Sequence, residues 1–147
     1  MGRLNIPDGS RIYADTSIFI YTIDKVPDYF TLLYPMWSKY QADKIELMTS
    51  ELTLTEVLVL PLKNSDSLRI NAYEKLILSS KLRPIALDRV ILREAARLRS
   101  ITNIKTPDAI HAATALINNC TIFLTNDRGF NRITGLPVVI LSEVLAA

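Results

Sequence analysis

At 147 residues the chain is expected to form a single domain over residues 1–147, with no room for a second. With 49% hydrophobic and 22% charged residues it can bury a substantial core, which excludes a wholly disordered chain. The lone cysteine, Cys120, excludes an internal disulfide framework; a net charge of +2 is too mild to prove nucleic-acid binding; and the absence of a leader-like start or a membrane-length apolar run points to a cytoplasmic protein without membrane contact.

Strand-like and helix-like segments alternate along the chain, the pattern of an α/β fold with a mainly parallel sheet. Residues 11–14 (RIYA) read as a first strand, and Asp15, Thr16 and Ser17 end it with side chains suited to capping the helix that begins over residues 18–23. Residues 28–42 read as a second helix despite Pro35, residues 44–48 as a second strand, and Thr49-Ser50 as the cap of a helix over residues 51–61. A further amphipathic helix is expected over residues 65–79, and a third strand over residues 83–87. Asp88 caps a helix over residues 89–100, whose Ile91, Ala95 and Leu98 form one stripe. Thr106-Pro107-Asp108 is a helix start, with Thr106 as cap, and the alanine-rich helix over residues 107–118 can pack close to a sheet. Residues 120–124 read as a fourth strand, with Cys120 a small buried residue; residues 138–141 read as a fifth, with Ser142 capping a short last helix.

Four acids stand out against this frame. Asp15 and Asp127 come directly after strands, and parallel α/β sheets gather their ligands at the carboxyl ends of their strands. Asp108 lies in the first turn of a helix, and Glu56 interrupts the apolar run TLTEVLVLPL, where an unpaired carboxylate is costly to bury. Carboxylates brought together repel one another, and a hard cation such as Mg²⁺ or Mn²⁺ relieves the repulsion. Setting these four acids aside leaves 11 acidic against 17 basic residues, a +6 frame around the site. With one histidine and one cysteine, a zinc centre is not expected. Each acid also has an ordinary reading: Asp15 as a helix cap, Asp108 as a complement to the helix dipole, Asp127 as a turn residue, Glu56 on an exposed face.

The segments YADTSIFIY, TSELTLTEVL, KTPDAIHAATAL and FLTNDRGF resemble the four acidic motifs of PIN-domain ribonucleases, in the usual order, and the likeness covers nearly the whole chain. It implies a three-layer fold with a five-stranded sheet of order 3-2-1-4-5 and helices on both faces. It also implies Asp15, Glu56, Asp108 and Asp127 around one or two Mg²⁺ or Mn²⁺ ions, and endonucleolytic cleavage of RNA. In VapC-like members the chain is the toxin of a toxin–antitoxin pair, a small antitoxin blocks the site, and homodimers are common. The first motif often carries Asn two positions after the Asp, where this chain has Ser17. Thr16 and Ser17, with Thr125 and Asn126, are the candidates for supporting the acids, and Lys105, Arg128 and Arg132 for holding RNA phosphates. His111, three residues after Asp108, shares its helix face and reads first as a histidine hydrogen-bonded within the fold, second as a proton relay. The aromatic stretch over residues 29–37 reads either as core or as a surface for an antitoxin or second subunit. The competing reading of the whole is a PIN-like fold kept as a non-catalytic RNA- or protein-binding module.

Overall fold

The computed structural model describes residues 2–79, 81–82 and 84–147. Strand β1 (Arg11–Ala14) is central, flanked by β2 (Glu46–Met48) and β3 (Ile122–Thr125), with β4 (Val138–Ile140) beyond β3. The order is β2-β1-β3-β4 and every pair is parallel. Tyr13 of β1 stands opposite both Met48 and Phe123, which fixes one register across three strands.

The expected third strand, over residues 83–87, is not formed among the described residues. Arg83, its first residue, lies outside them, and the rest of residues 83–87 contributes a single parallel bridge, Ser50 to Ile85, beside β2. Ile85 donates its amide to Thr49 O and accepts from the Glu51 amide, both at 2.9 Å. Pairing cannot spread further, because Pro84 has no N–H to give and Asp88 already turns the chain into the next helix. The bridge occupies the sheet position that the order 3-2-1-4-5 assigns to the third strand, so that order is reduced to four strands and a bridge.

Alternation along the strands divides the core in two. Ile12, Ala14, Leu47 and Leu124 face a layer built from α1 (Thr16–Ile23), α2 (Tyr29–Gln41), α3 (Leu52–Lys63) and α4 (Ser67–Ile77), joined by Leu141 from the last helix, α7 (Leu141–Ala146). Tyr13, Met48 and Phe123 face α5 (Arg89–Ile101), α6 (Thr106–Ile117) and the short 3₁₀ helix Arg128–Arg132. On α5 the stripe Ile91, Ala95, Leu98 is the buried one, and on α6 Ala109, Ala112, Ala113 and Ala115 are fully covered, which lets two backbones approach. Pro35 sits inside α2 without ending it. Two helix starts differ from expectation. Lys105, not Thr106, holds the cap position of α6 and gives no side-chain cap. Ser142 lies inside α7, and its own amide is satisfied by Asn126 Oδ1 at 2.8 Å. No helix among the described residues is long and apolar enough to cross a membrane.

The carboxyl end of β1 is held by a side chain. Thr49, fully buried, donates its hydroxyl to Ala14 O at 2.8 Å and bonds Thr53 Oγ1 at 2.7 Å. Thr49→Val keeps the shape but strands a carbonyl and a second hydroxyl, so it is expected to cost about 1–3 kcal/mol. Urea unfolding reads this as a lower midpoint at unchanged slope; an unmoved midpoint would remove Thr49 from the support of the site.

Candidate active site

Asp15 is the residue at which β1 becomes α1. Its backbone amide still pairs with Leu124 O (3.2 Å), and its carboxylate caps α1 by accepting from the Ser17 amide (3.1 Å). Oδ1 also accepts from the Ser17 hydroxyl (2.6 Å), and Oδ2 accepts a short bond from the Thr125 hydroxyl at the end of β3. Only 7% of Asp15 is exposed, and burial raises its pKa against the opposing pull of these bonds and of His111.

Thr125 links two of the acids. While donating to Asp15 it accepts from the Asp127 amide at 3.0 Å. Asp127 then caps the 3₁₀ helix, its Oδ1 accepting from the Gly129 amide at 2.8 Å. A Cβ at position 129 would stand 3.0 Å from that oxygen, so any larger residue there must push the Asp127 carboxylate aside. Asp108, in the first turn of α6, lines one cleft with Asp127, Lys105, Asn103, Gly129 and Arg132. Burial raises the pKa of Asp108, the charges of Asp127 and Glu56 raise it further, and His111 and Lys105 oppose them.

Glu56 is not the lone carboxylate that its apolar neighbours suggest. It is half-exposed on α3, beside the exposed Leu60, and lines a separate groove with Asp24 and Arg69. Its Oε1 accepts from Thr16 Oγ1 (2.7 Å) and from His111 Nε2 (2.5 Å). Burial alone would raise its pKa, but those two bonds outweigh it and leave the carboxyl below the ordinary value. His111 is 2% exposed and bonds the Tyr13 hydroxyl through Nδ1 at 2.6 Å, which is the hydrogen-bonded role read first from the sequence.

Of the proposed supporting residues, Ser17 and Thr125 touch Asp15, and Thr16 touches Glu56. Asn126 turns away from the acids, donating to Tyr21 Oη at 3.0 Å and capping α7. Lys105 and Arg132 line the Asp108–Asp127 cleft, whereas exposed Arg128 pairs with Glu143 at 3.2 Å. Residues 29–37 are mostly core: Leu32, Leu33 and Met36 are buried and the Trp37 indole donates to Thr22, leaving Tyr34 as the exposed aromatic. Cys120 is half-buried rather than buried, and burial pushes its thiol up to about 11, away from reactivity. Two contributors were not singled out from sequence: Tyr13, which alternation places on the strand two residues before Asp15, and Thr49.

Asp15 and Asp127 are joined through Thr125, Asp108 shares a cleft with Asp127, and Glu56, in its own groove, is linked to the others through His111 and by its charge on Asp108. Their donor chemistry, all oxygen, suits a hard divalent cation. As the side chains stand, no three His, Cys, Asp or Glu residues among the described ones form a group that could hold a metal ion.

A parallel α/β sheet with an acidic cleft at its carboxyl edge is the class of protein that fold and site define together. The PIN domain family matches residues 12–136, and the chain belongs to that family. No curated protein matches the chain. Its fold is similar to VapBC2 from Rickettsia felis, solved bound to a DNA fragment from its promoter (TM-score 0.70, 22% identity, 88% of this chain and 98% of that one). It is also similar to VapBC-1 from nontypeable Haemophilus influenzae (TM-score 0.69, 19% identity, 90% and 98%). A third similar structure is Mycobacterium tuberculosis VapC20, described as a sarcin-ricin loop cleaving toxin (TM-score 0.63, 16% identity, 76% and 86%).

Proposed function

We propose that this chain is a Mg²⁺- or Mn²⁺-dependent endoribonuclease, the VapC-like toxin of a toxin–antitoxin pair. The observation that carries this reading is the junction of Asp15 and Asp127 at Thr125, with Asp108 in the same cleft as Asp127 and the pKa values of Asp15 and Asp108 both raised from the ordinary aspartate value. Buried acids under mutual repulsion are at a disadvantage until a cation shares their charge. Asp15, Asp108 and Asp127 would hold the ion, with Glu56 reaching it directly or through water, and side-chain movement must close the set. When bound, such an ion lowers the pKa of water and offsets the charge that builds on a phosphodiester under attack.

The chain's own residues supply the remainder. Ser17 and Thr125 fix both oxygens of Asp15, and Gly129 leaves room for Asp127 to cap its turn. Lys105 and Arg132, beside Asp108 and Asp127, hold the phosphates of an RNA strand across the cleft. Arg128 is committed to Glu143 and contributes less. Lys105→Ala and Arg132→Ala are each expected to weaken RNA binding and to lower the salt dependence by about 0.7 in log–log slope, the share of one single-strand phosphate contact. Arg128→Ala should leave that slope unchanged; equal losses at all three would erase the distinction. Partners of this reading are an RNA substrate, a cognate antitoxin and a second copy of the chain, the complexes of the similar VapBC proteins being its precedent.

The second reading, a non-catalytic binding module, is favoured by two observations: Glu56 is already engaged by His111, and among the described residues no three His, Cys, Asp or Glu form a group that could hold an ion. Incubation of purified protein with structured RNA and Mn²⁺ separates the two. Cleavage that is lost in Asp15→Asn and Asp108→Asn supports the nuclease. Stable RNA or protein binding without metal-dependent turnover supports the module.

A further inference from the structure

We propose that Tyr13 and His111 form a buried positioning unit that sets where Glu56 stands, and through it the affinity of the acidic cleft for a divalent cation. This rests on the nuclease reading above but assigns residues that carry none of its ligands.

Ionised Glu56 can only accept, so the 2.5 Å contact requires the proton on His111 Nε2. In the neutral ring Nδ1 is then a bare acceptor, and the Tyr13 hydroxyl 2.6 Å away must donate to it. With the ring neutral the chain runs one way: Tyr13 O–H to His111, His111 Nε2–H to Glu56, with Thr16 O–H donating to the same carboxylate oxygen. Both ring residues are locked in place. Tyr13 is fully buried, stacked on Phe123 with centroids 5.1 Å apart and 3° between planes, and meets the His111 ring edge-on. His111 is 2% exposed on α6, the helix that also carries Asp108. Glu56, by contrast, is half-exposed on α3, where Leu60 and Leu62 are open to solvent, and is tied to the rest of the site only through Thr16 and His111 among the described residues. A phenol is an expensive choice for the centre of a buried strand where phenylalanine would pack as well, unless its hydroxyl does something. Here it selects the tautomer that points a donor at Glu56. Partners of this kind, one shell out from a metal, fix ligand orientation.

The test uses full-length protein and Mn²⁺ alone as the probe, read by calorimetry, beside thermal unfolding of each variant. His111→Leu is expected to weaken Mn²⁺ binding by about 10–100-fold, the usual cost of losing an outer-shell partner. Tyr13→Phe should weaken it less, in the same direction, with packing retained. His111→Gln, whose amide can still donate to Glu56, should recover part of the loss. Nitrogen-correlated NMR of the metal-free protein should find the His111 proton on Nε2. Mn²⁺ affinity unchanged in folded Tyr13→Phe and His111→Leu, or the proton on Nδ1, overturns the positioning unit. Wild-type protein that binds no Mn²⁺ overturns the nuclease reading itself, a result visible before any variant is made.

Discussion

Asp15→Asn is expected to abolish RNA cleavage, by more than the about 10–100-fold that loss of an outer-shell partner costs, while leaving a protein that is folded and more stable than wild type at neutral pH. The two halves have different causes. Activity falls because the amide cannot supply the negative charge that a divalent ion requires of its ligand. Stability rises because Asp15 is charged in a place that disfavours charge: burial raises its pKa, and Ser17, Thr125 and His111 only partly offset this. An acid with a raised folded-state pKa holds its proton more tightly in the native than in the unfolded chain. Its contribution is therefore neutral below the unfolded value of about 3.8. It becomes increasingly unfavourable as pH climbs to the raised native value, and stays so above it. The asparagine escapes that penalty and keeps the Ser17 bonds, while the Thr125 contact reverses direction and the Thr125 hydroxyl proton loses its acceptor. Its carbonyl can accept from the Ser17 amide and hydroxyl, and its NH₂ can donate to Thr125 Oγ1, which already accepts from the Asp127 amide. Urea unfolding at pH 4 and at pH 7 reads this out. The gain over wild type should be larger at pH 7, and a variant less stable than wild type at pH 7 would contradict the charged, buried picture of Asp15.

Removal of divalent ions is the second large effect. Treatment with EDTA should stop cleavage, and Mn²⁺ or Mg²⁺ should restore it. The same linkage is visible without any RNA. An ion that binds only the folded state at a hundred times its dissociation constant adds about 2.7 kcal/mol. For a domain of this size that is a rise in melting temperature of roughly 5–10 °C. Asp15→Asn and Asp108→Asn should lose the rise. Because ligation displaces protons from acids whose pKa values are raised, the rise should grow with pH through and somewhat above the ordinary carboxylate range. Cleavage at full rate in EDTA would refute the metal-dependent mechanism, and an equal rise in the acid variants would place the ion elsewhere.

Much of this site was legible because strand and helix punctuation is local. RIYA followed by Asp-Thr-Ser gives a buried strand ending at a capping acid, and that is where Asp15 stands. Asp88 caps α5 as its sequence implies, and the Ile91, Ala95, Leu98 stripe is the buried one. Three features were less legible, each because a distant residue decides it. The strand over residues 83–87 shrank to one bridge, since Pro84 withholds a donor and the edge position asks for only two hydrogen bonds. The cap of α7 comes from Asn126, sixteen residues earlier, rather than from Ser142. The partner of Glu56 is His111, 55 positions away. A signal for that last pairing was present: a carboxylate in an apolar helix needs a donor, and the only histidine lies one helical turn from Asp108. Sequence spacing could place Asp108 and His111 on one face, but only the crossing of α3 over α6 brings Glu56 to that face.

Asp15, Asp108, Asp127 and Glu56 are proposed to share one divalent ion. Crystals soaked in Mn²⁺ and measured at a wavelength where manganese scatters anomalously test it most directly. The expected result is an anomalous peak within about 2.0–2.4 Å of oxygens from Asp15, Asp108 and Asp127, with Glu56 bound directly or through one water. An empty cleft at millimolar Mn²⁺, or a peak held by other residues, would contradict it.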